Sequence, residues 1–161
     1  MPSEIIGLYI GKFQPFHNGH LFAIRQILPK VSSLIIVIGS SQYSHLEDQP
    51  FSSQERRQMI EQTLASENIN NVSIIEVPDI HDNKNWVEHL RKYVQHFDVV
   101  FTNNQLVEQL FVEKSFSVAA ITMQSGVSGT FIRHKLATHE KNWRSLVSAA
   151  TGRIVEDHFN A

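Results

Sequence analysis

Five short apolar runs, at residues 5–10, 34–38, 72–77, 99–101 and 118–121, alternate with stretches of helical spacing, and this alternation restricts the fold more than any other feature. The runs are rich in Val and Ile, as strands buried on both faces are, and no hairpin signal joins neighbouring runs. Between them, Leu21, Ile24, Ile27 and Leu28 share one helical face. Ser52-Ser53-Gln54-Glu55 is a capping box opening a helix to about Ser66, and residues 86–95 and 106–113 read as two further helices. The pattern predicts an α/β, Rossmann-like, doubly wound fold: a parallel five-stranded sheet with helices on both faces. Ligands of such sheets bind at the carboxyl ends of the strands.

Beyond residue 121 the signal is helical only. Residues 128–138 and 154–159 read as helices, Trp143, Leu146, Val147 and Ala150 share a stripe, and Thr151-Gly152 is expected to break the last helix. A chain of 161 residues suits one compact core and not two. The expectation is a single domain over 1–161, with a core over about 1–125 and a C-terminal helical cap over about 126–161.

A net charge of −2 with a sequence pI near 6.5 provides no general basic field, which argues against a nucleic-acid partner and leaves a small charged ligand. The absence of cysteine excludes disulfides, thiolate catalysis and cysteine-held metals. Met1-Pro2-Ser3-Glu4 lacks a charged region before an apolar core, and no apolar run approaches the roughly 20 residues that span a bilayer. A soluble, cytoplasmic protein with no membrane partner is therefore expected.

Directly after the first run stands Gly11-Lys12-Phe13-Gln14-Pro15-Phe16-His17-Asn18-Gly19-His20. A strand, a turn containing Gly and Pro, and a helix beginning near Asn18 make an entry whose helix N-terminus attracts anions. His17 and His20, three residues apart, share a face of that helix turn and point at one bound group. The spacing fits neither a P-loop nor the GxGxxG fingerprint. Zinc is disfavoured, because two ligands are too few and no third His or carboxylate stands at a helical spacing. A second anion site is Ser128-Gly129-Thr130-Phe131-Ile132-Arg133: a capping Ser, a Gly that admits a ligand to the backbone, and Arg133 one turn beyond Thr130. Taken alone, either segment also reads as an ordinary helix cap.

Together and in this order, GKFQPFHNGH and SGTFIR resemble the archaeal-type nicotinamide-nucleotide adenylyltransferases of the HxGH nucleotidyltransferase superfamily. The likeness extends through Ile38-Gly39-Ser40-Ser41, Pro50-Phe51-Ser52, Glu55-Arg56, Asn83, Trp86-Val87 and Asn142-Trp143-Arg144-Ser145-Leu146, and so covers nearly the whole chain. It implies transfer of AMP from ATP to nicotinamide mononucleotide (NMN), giving NAD and pyrophosphate, with Mg²⁺ held mainly by phosphates and few protein ligands. By resemblance, Lys12, His17, His20 and Arg133 are catalytic. ATP lies against Gly11, Lys12, Phe13, Gln14, His17, Gly19, His20, Ser128, Gly129, Thr130 and Arg133, and the pyridine nucleotide against Ser40, Asn83 and Trp86. Relatives commonly form hexamers, which implies a homo-oligomer.

An indole suits a pyridinium ring, although the periodicity of Trp86 with Leu90 equally supports core packing. Phe13, Phe16 and Phe51 read as loop anchors and core, and His45 as a loop residue near the site. Two features depart from the family: Lys12 stands where an Arg is usual, and Leu46-Glu47-Asp48-Gln49 offers carboxylates that repel ATP unless they face away or hold a cation. The competing readings are another small nucleotidyltransferase, such as one acting on phosphopantetheine, and a nucleotide sensor without catalysis.

Overall fold

The computed structural model describes residues 4–160, so the reading of Met1, Pro2 and Ser3 lies outside the described residues. Five strands, β1 (Ile6–Gly11), β2 (Ser33–Ile38), β3 (Val72–Glu76), β4 (Val99–Thr102) and β5 (Ser117–Ala120), form one sheet in the order β3-β2-β1-β4-β5. Every pairing is parallel. The order reverses between β1 and β4, and this is the switch point where a crevice opens beyond the strand ends.

Alternating side chains send each strand's apolar residues to opposite faces. On one face Tyr9, Leu34, Ile36 and Ile38 pack against Ile24 and Ile27 of α1 (Asn18–Ile27) and Met59 and Ile60 of α2 (Ser53–Ser66). On the other, Leu8, Val37 and Val100 meet Val87 and Leu90 of α3 (Trp86–Arg91) and Phe111 of α4 (Gln105–Glu113). Ile132 of α5 (Gly129–Ala137), Trp143, Val147 and Val155 of α6 (Ala149–Asn160) join the first face, so the C-terminal helices share its core.

Two boundaries depart from expectation. The helix expected over 86–95 stops at Arg91, where the chain tightens into three-residue hydrogen bonds such as Lys92 N–H to His89 O at 3.1 Å. Thr151-Gly152 does not break a helix, because α6 runs through it. Ser148 starts that helix instead: its hydroxyl accepts from Thr151 N–H at 3.0 Å and its carbonyl from Gly152 N–H at 2.9 Å, which places the glycine in the first turn. The preceding stripe is a separate 3-10 segment, Lys141–Leu146. Among the described residues no helix is long and apolar enough to cross a membrane.

Candidate active site

His17 is the N-cap of α1, and its side chain folds back over the helix start so that Nδ1 accepts from Gly19 N–H at 3.0 Å. His20 answers reciprocally: its Nδ1 accepts from His17 N–H at 3.1 Å. Gly19 permits this geometry, since a Cβ there would lie 2.9 Å from Cε1 of His17. The two rings stack with centroids 3.7 Å apart, over a floor formed by Phe13 and Phe16.

A nitrogen that accepts carries no proton, so each neutral ring holds its hydrogen on Nε2 and donates from that edge. Electrostatics agree. Burial, aided by the nearby Arg133 charge, pushes His17 down to about 4, and burial together with His17 holds His20 well below its ordinary value. Both rings are therefore neutral donors through Nε2.

The second motif reaches the same place. Ser128 caps α5 by accepting from Phe131 N–H at 3.1 Å. Gly129 lets the helix start abut the β1–α1 loop: a Cβ would meet Nη1 of Arg133 at 2.9 Å and the Gln14 carbonyl at 3.2 Å. Arg133 donates to that same carbonyl at 2.8 Å, across 119 residues of sequence, and to Thr130 Oγ1 at 3.2 Å. Burial lowers the guanidinium's pKa, and the Asp48 charge opposes the shift.

Lys12, Phe13, Gln14, His17, His20, Asp48, Gly129, Thr130 and Arg133 enclose a hollow of about 230 Å³. A larger cleft of about 580 Å³ lies at the carboxyl ends of the strands, lined by Gly11, Lys12, His20, Ser40, Asn83, Trp86, Thr102, Asn103, Asn104 and Met123 among others. Lys12 and His20 border both cavities and mark their junction.

Residues 8–135 match the cytidylyltransferase-like family. Two nicotinamide-nucleotide adenylyltransferases are similar along most of their length: that of Thermoplasma acidophilum is 43% identical over 92% of this chain and 83% of its own. That of Thermoplasma volcanium is 41% identical over 92% of this chain and 84% of its own. The chain belongs to the nicotinamide-nucleotide adenylyltransferase family. A crystal structure of the bifunctional NMN adenylyltransferase/ADP ribose pyrophosphatase of Francisella tularensis, complexed with AMP and Mn ion, has a TM-score of 0.73 at 25% identity. It matches 92% of this chain, which spans 44% of that longer one.

For a member of this adenylyltransferase family, two sequence expectations need correction. Gln14 is not free to hold phosphate with its side chain. The amide is 3% exposed and bonded at both ends to Phe51, donating to the carbonyl at 3.0 Å and accepting from the N–H at 2.9 Å. It straps the β1–α1 loop to the start of α2. At the start of α1 the backbone N–H groups of Gly19, His20 and Leu21 all bond to His17, so only that of Asn18 is left without a partner among the described residues.

Phe13, Phe16 and Phe51 are buried anchors, as expected. Trp86 is part-buried, its ring nearly perpendicular to that of Phe111 with centroids 6.1 Å apart, and it also lines the cleft, so packing and cleft lining coexist. His45 borders a neighbouring hollow with Glu47, Arg133 and His158, outside the histidine pocket.

Arg56 is the organising residue that sequence reasoning passed over, noted only as part of the family pattern. Fully buried, it donates to five carbonyls: Ser52 at 3.2 Å, Lys12 at 2.9 Å, Gly39 at 2.9 Å, Ser40 at 3.2 Å and Tyr43 at 3.3 Å. Burial pushes it down to about 10, against the opposing charges of Glu76 and Glu55. It gathers the loops after β1 and β2, which carry Lys12 and Ser40. Ser40 has a φ of 50°, a left-handed conformation this clamp helps hold. The loop after β3 is tied in turn, since Gln42 exchanges bonds of 2.8 and 2.9 Å with the Asp79 backbone and Tyr43 meets His81. An arginine next to a capping-box Glu was the only signal available.

Proposed function

We propose that this chain transfers AMP from ATP to the 5′-phosphate of NMN, giving NAD and pyrophosphate, by direct in-line attack. The observation that carries this reading is the shared border of Lys12 and His20. A triphosphate seated in the smaller hollow presents its α-phosphorus at the junction, to an acceptor phosphate arriving from the larger cleft. An acceptor oxygen bonds to that phosphorus, the bond to the bridging oxygen breaks, and its electron pair departs with pyrophosphate. Such a displacement needs no protein nucleophile, only positioning and charge stabilisation.

The geometry supports the following roles. His17 and His20 donate Nε2–H to oxygens around the reacting phosphorus, and being neutral they do not repel Lys12 or Arg133. Lys12 supplies a point charge at the junction. Ser128, Thr130 and Arg133 hold the leaving pyrophosphate, aided by the N–H groups of Gly129 and Thr130, which make no hydrogen bond among the described residues. Asp48 is the one carboxylate on the pocket wall, a donor set that suits Mg²⁺ held mainly by phosphate oxygens. When bound, the ion neutralises developing charge on the triphosphate. The Mn ion complexed with the Francisella relative supports a divalent ion here.

In the larger cleft, Trp86 offers an indole face to the pyridinium, Asn83 a bonding partner for the carboxamide, and Ser40 a contact to the mononucleotide. The reading includes a single domain, a cytoplasmic homo-oligomer of up to six subunits, and no nucleic-acid or membrane partner; sedimentation checks the oligomer.

The deciding experiment is steady-state pyrophosphate release with ATP and Mg²⁺ against nicotinamide and nicotinate mononucleotides. Turnover on a pyridine mononucleotide is expected. Turnover only with CTP or a non-pyridine acceptor such as phosphopantetheine would overturn the assignment, as would nucleotide binding without pyrophosphate release.

A further inference from the structure

Asp48 sits where simple charge matching would not place it. Leu46 N–H bonds to Gln49 O and Gln49 N–H to Leu46 O, both at 3.2 Å, while His45 N–H reaches Pro50 O at 2.9 Å. These bonds close a small loop with Glu47 and Asp48 at its tip. The two acids then diverge: Glu47 lines the neighbouring hollow with Leu136 and Phe159, and Asp48 lines the phosphate pocket with Lys12 and Arg133. Its charge is near enough to act on the Arg133 guanidinium. No side-chain hydrogen bond or ion pair among the described residues holds the Asp48 carboxylate.

Because His17 and His20 are neutral, the charged groups on the pocket wall are two cations and this one carboxylate. A metal-free triphosphate therefore enters a pocket that attracts it weakly and repels it at one point. A triphosphate carrying a divalent cation brings lower negative charge and an oxygen-seeking ion, to which a single carboxylate is the usual protein contribution. We propose that Asp48 selects the metal-bound form of the nucleotide: its carboxylate contacts the cation, directly or through its water, and repels the metal-free triphosphate.

This inference rests on the nucleotide reading of the pocket, and its test separates the two. Calorimetry on the whole chain, without acceptor and hence without turnover, compares ATP in EDTA with ATP in excess Mg²⁺ for the wild type and Asp48→Asn. The wild type should bind the Mg²⁺ form at least about tenfold more tightly, and the variant should narrow that ratio about tenfold, chiefly by accepting metal-free ATP better. Water-proton relaxation of the protein–ATP–Mn²⁺ complex should also change in the variant. An unchanged ratio overturns the selection, and a narrowed ratio with unchanged Mn²⁺ relaxation overturns the cation contact. A wild type that binds neither form removes the nucleotide site itself.

Discussion

The helix starts of α1 and α5 face one hollow and solve the same problem in opposite ways. At α1 His17 takes the N–H groups of Gly19, His20 and Leu21, leaving only that of Asn18, and the helix offers imidazole edges beside it. At α5 Ser128 caps only from Phe131 onward, and the Gly129 and Thr130 N–H groups stay open beside a charged Arg133. One end is neutral, buried and locked by its own cap; the other is cationic and more exposed. On the proposed reading, this difference gives directional donors to the reacting phosphorus and net charge to the departing pyrophosphate. Both ends hold their relation through loops that Arg56 and Gln14 pin to the core.

The severest test of this division is Arg56→Met. With several buried carbonyls left without a donor, stability should fall by on the order of 4 kcal/mol, and turnover with it. Denaturant unfolding measures the loss, and a variant as stable as the wild type would show that the two ends organise themselves.

Protonation probes the neutral end. His17 binds a proton in the unfolded chain near its ordinary value of 6.5 but in the folded chain only near about 4. Its contribution is thus complete above about pH 6.5, declines as pH falls, and levels off below about pH 4, a change of about 3 kcal/mol. Asn caps helices well and does not titrate, so His17→Asn should flatten the profile in that window. An identical pH profile in wild type and variant would mean that folding leaves the His17 pKa unshifted.

At the reaction centre, His20→Ala should slow the chemical step on the order of 10²-fold or more, just under 3 kcal/mol, with nucleotide binding far less affected. Rapid-quench measurement of pyrophosphate formation distinguishes this from lost affinity; a loss confined to KM would make His20 a binding residue only.

The smallest effect belongs to the larger cleft. Trp86→Ala should weaken NMN about tenfold, near 1.4 kcal/mol, and leave ATP almost unchanged. Equal loss of both ligands, with lower thermal stability, would assign the indole to the contact with Phe111.

Much of this molecule is legible without coordinates because its signals are local. Apolar runs of strand length, the Ser52–Glu55 capping box and the Ser128 cap each lie within a few residues, and all three recur in the structure at or next to the expected positions. The histidine pair is legible for the same reason. The Thr151-Gly152 step misleads because a glycine reads as a stop wherever the true start, Ser148, lacks a strong pattern.

By itself, then, the sequence determined the parallel α/β architecture, the two helix-start motifs and the family. Tertiary structure alone decided that Gln14 serves Phe51, that Arg56 binds carbonyls of the loops after β1 and β2, and that Asp48 rather than Glu47 enters the pocket. The physical reason is that these partners are backbone atoms and charges from distant segments, brought together only when β1 lies between β2 and β4. No periodicity along the chain records an acceptor that exists only after the sheet has formed.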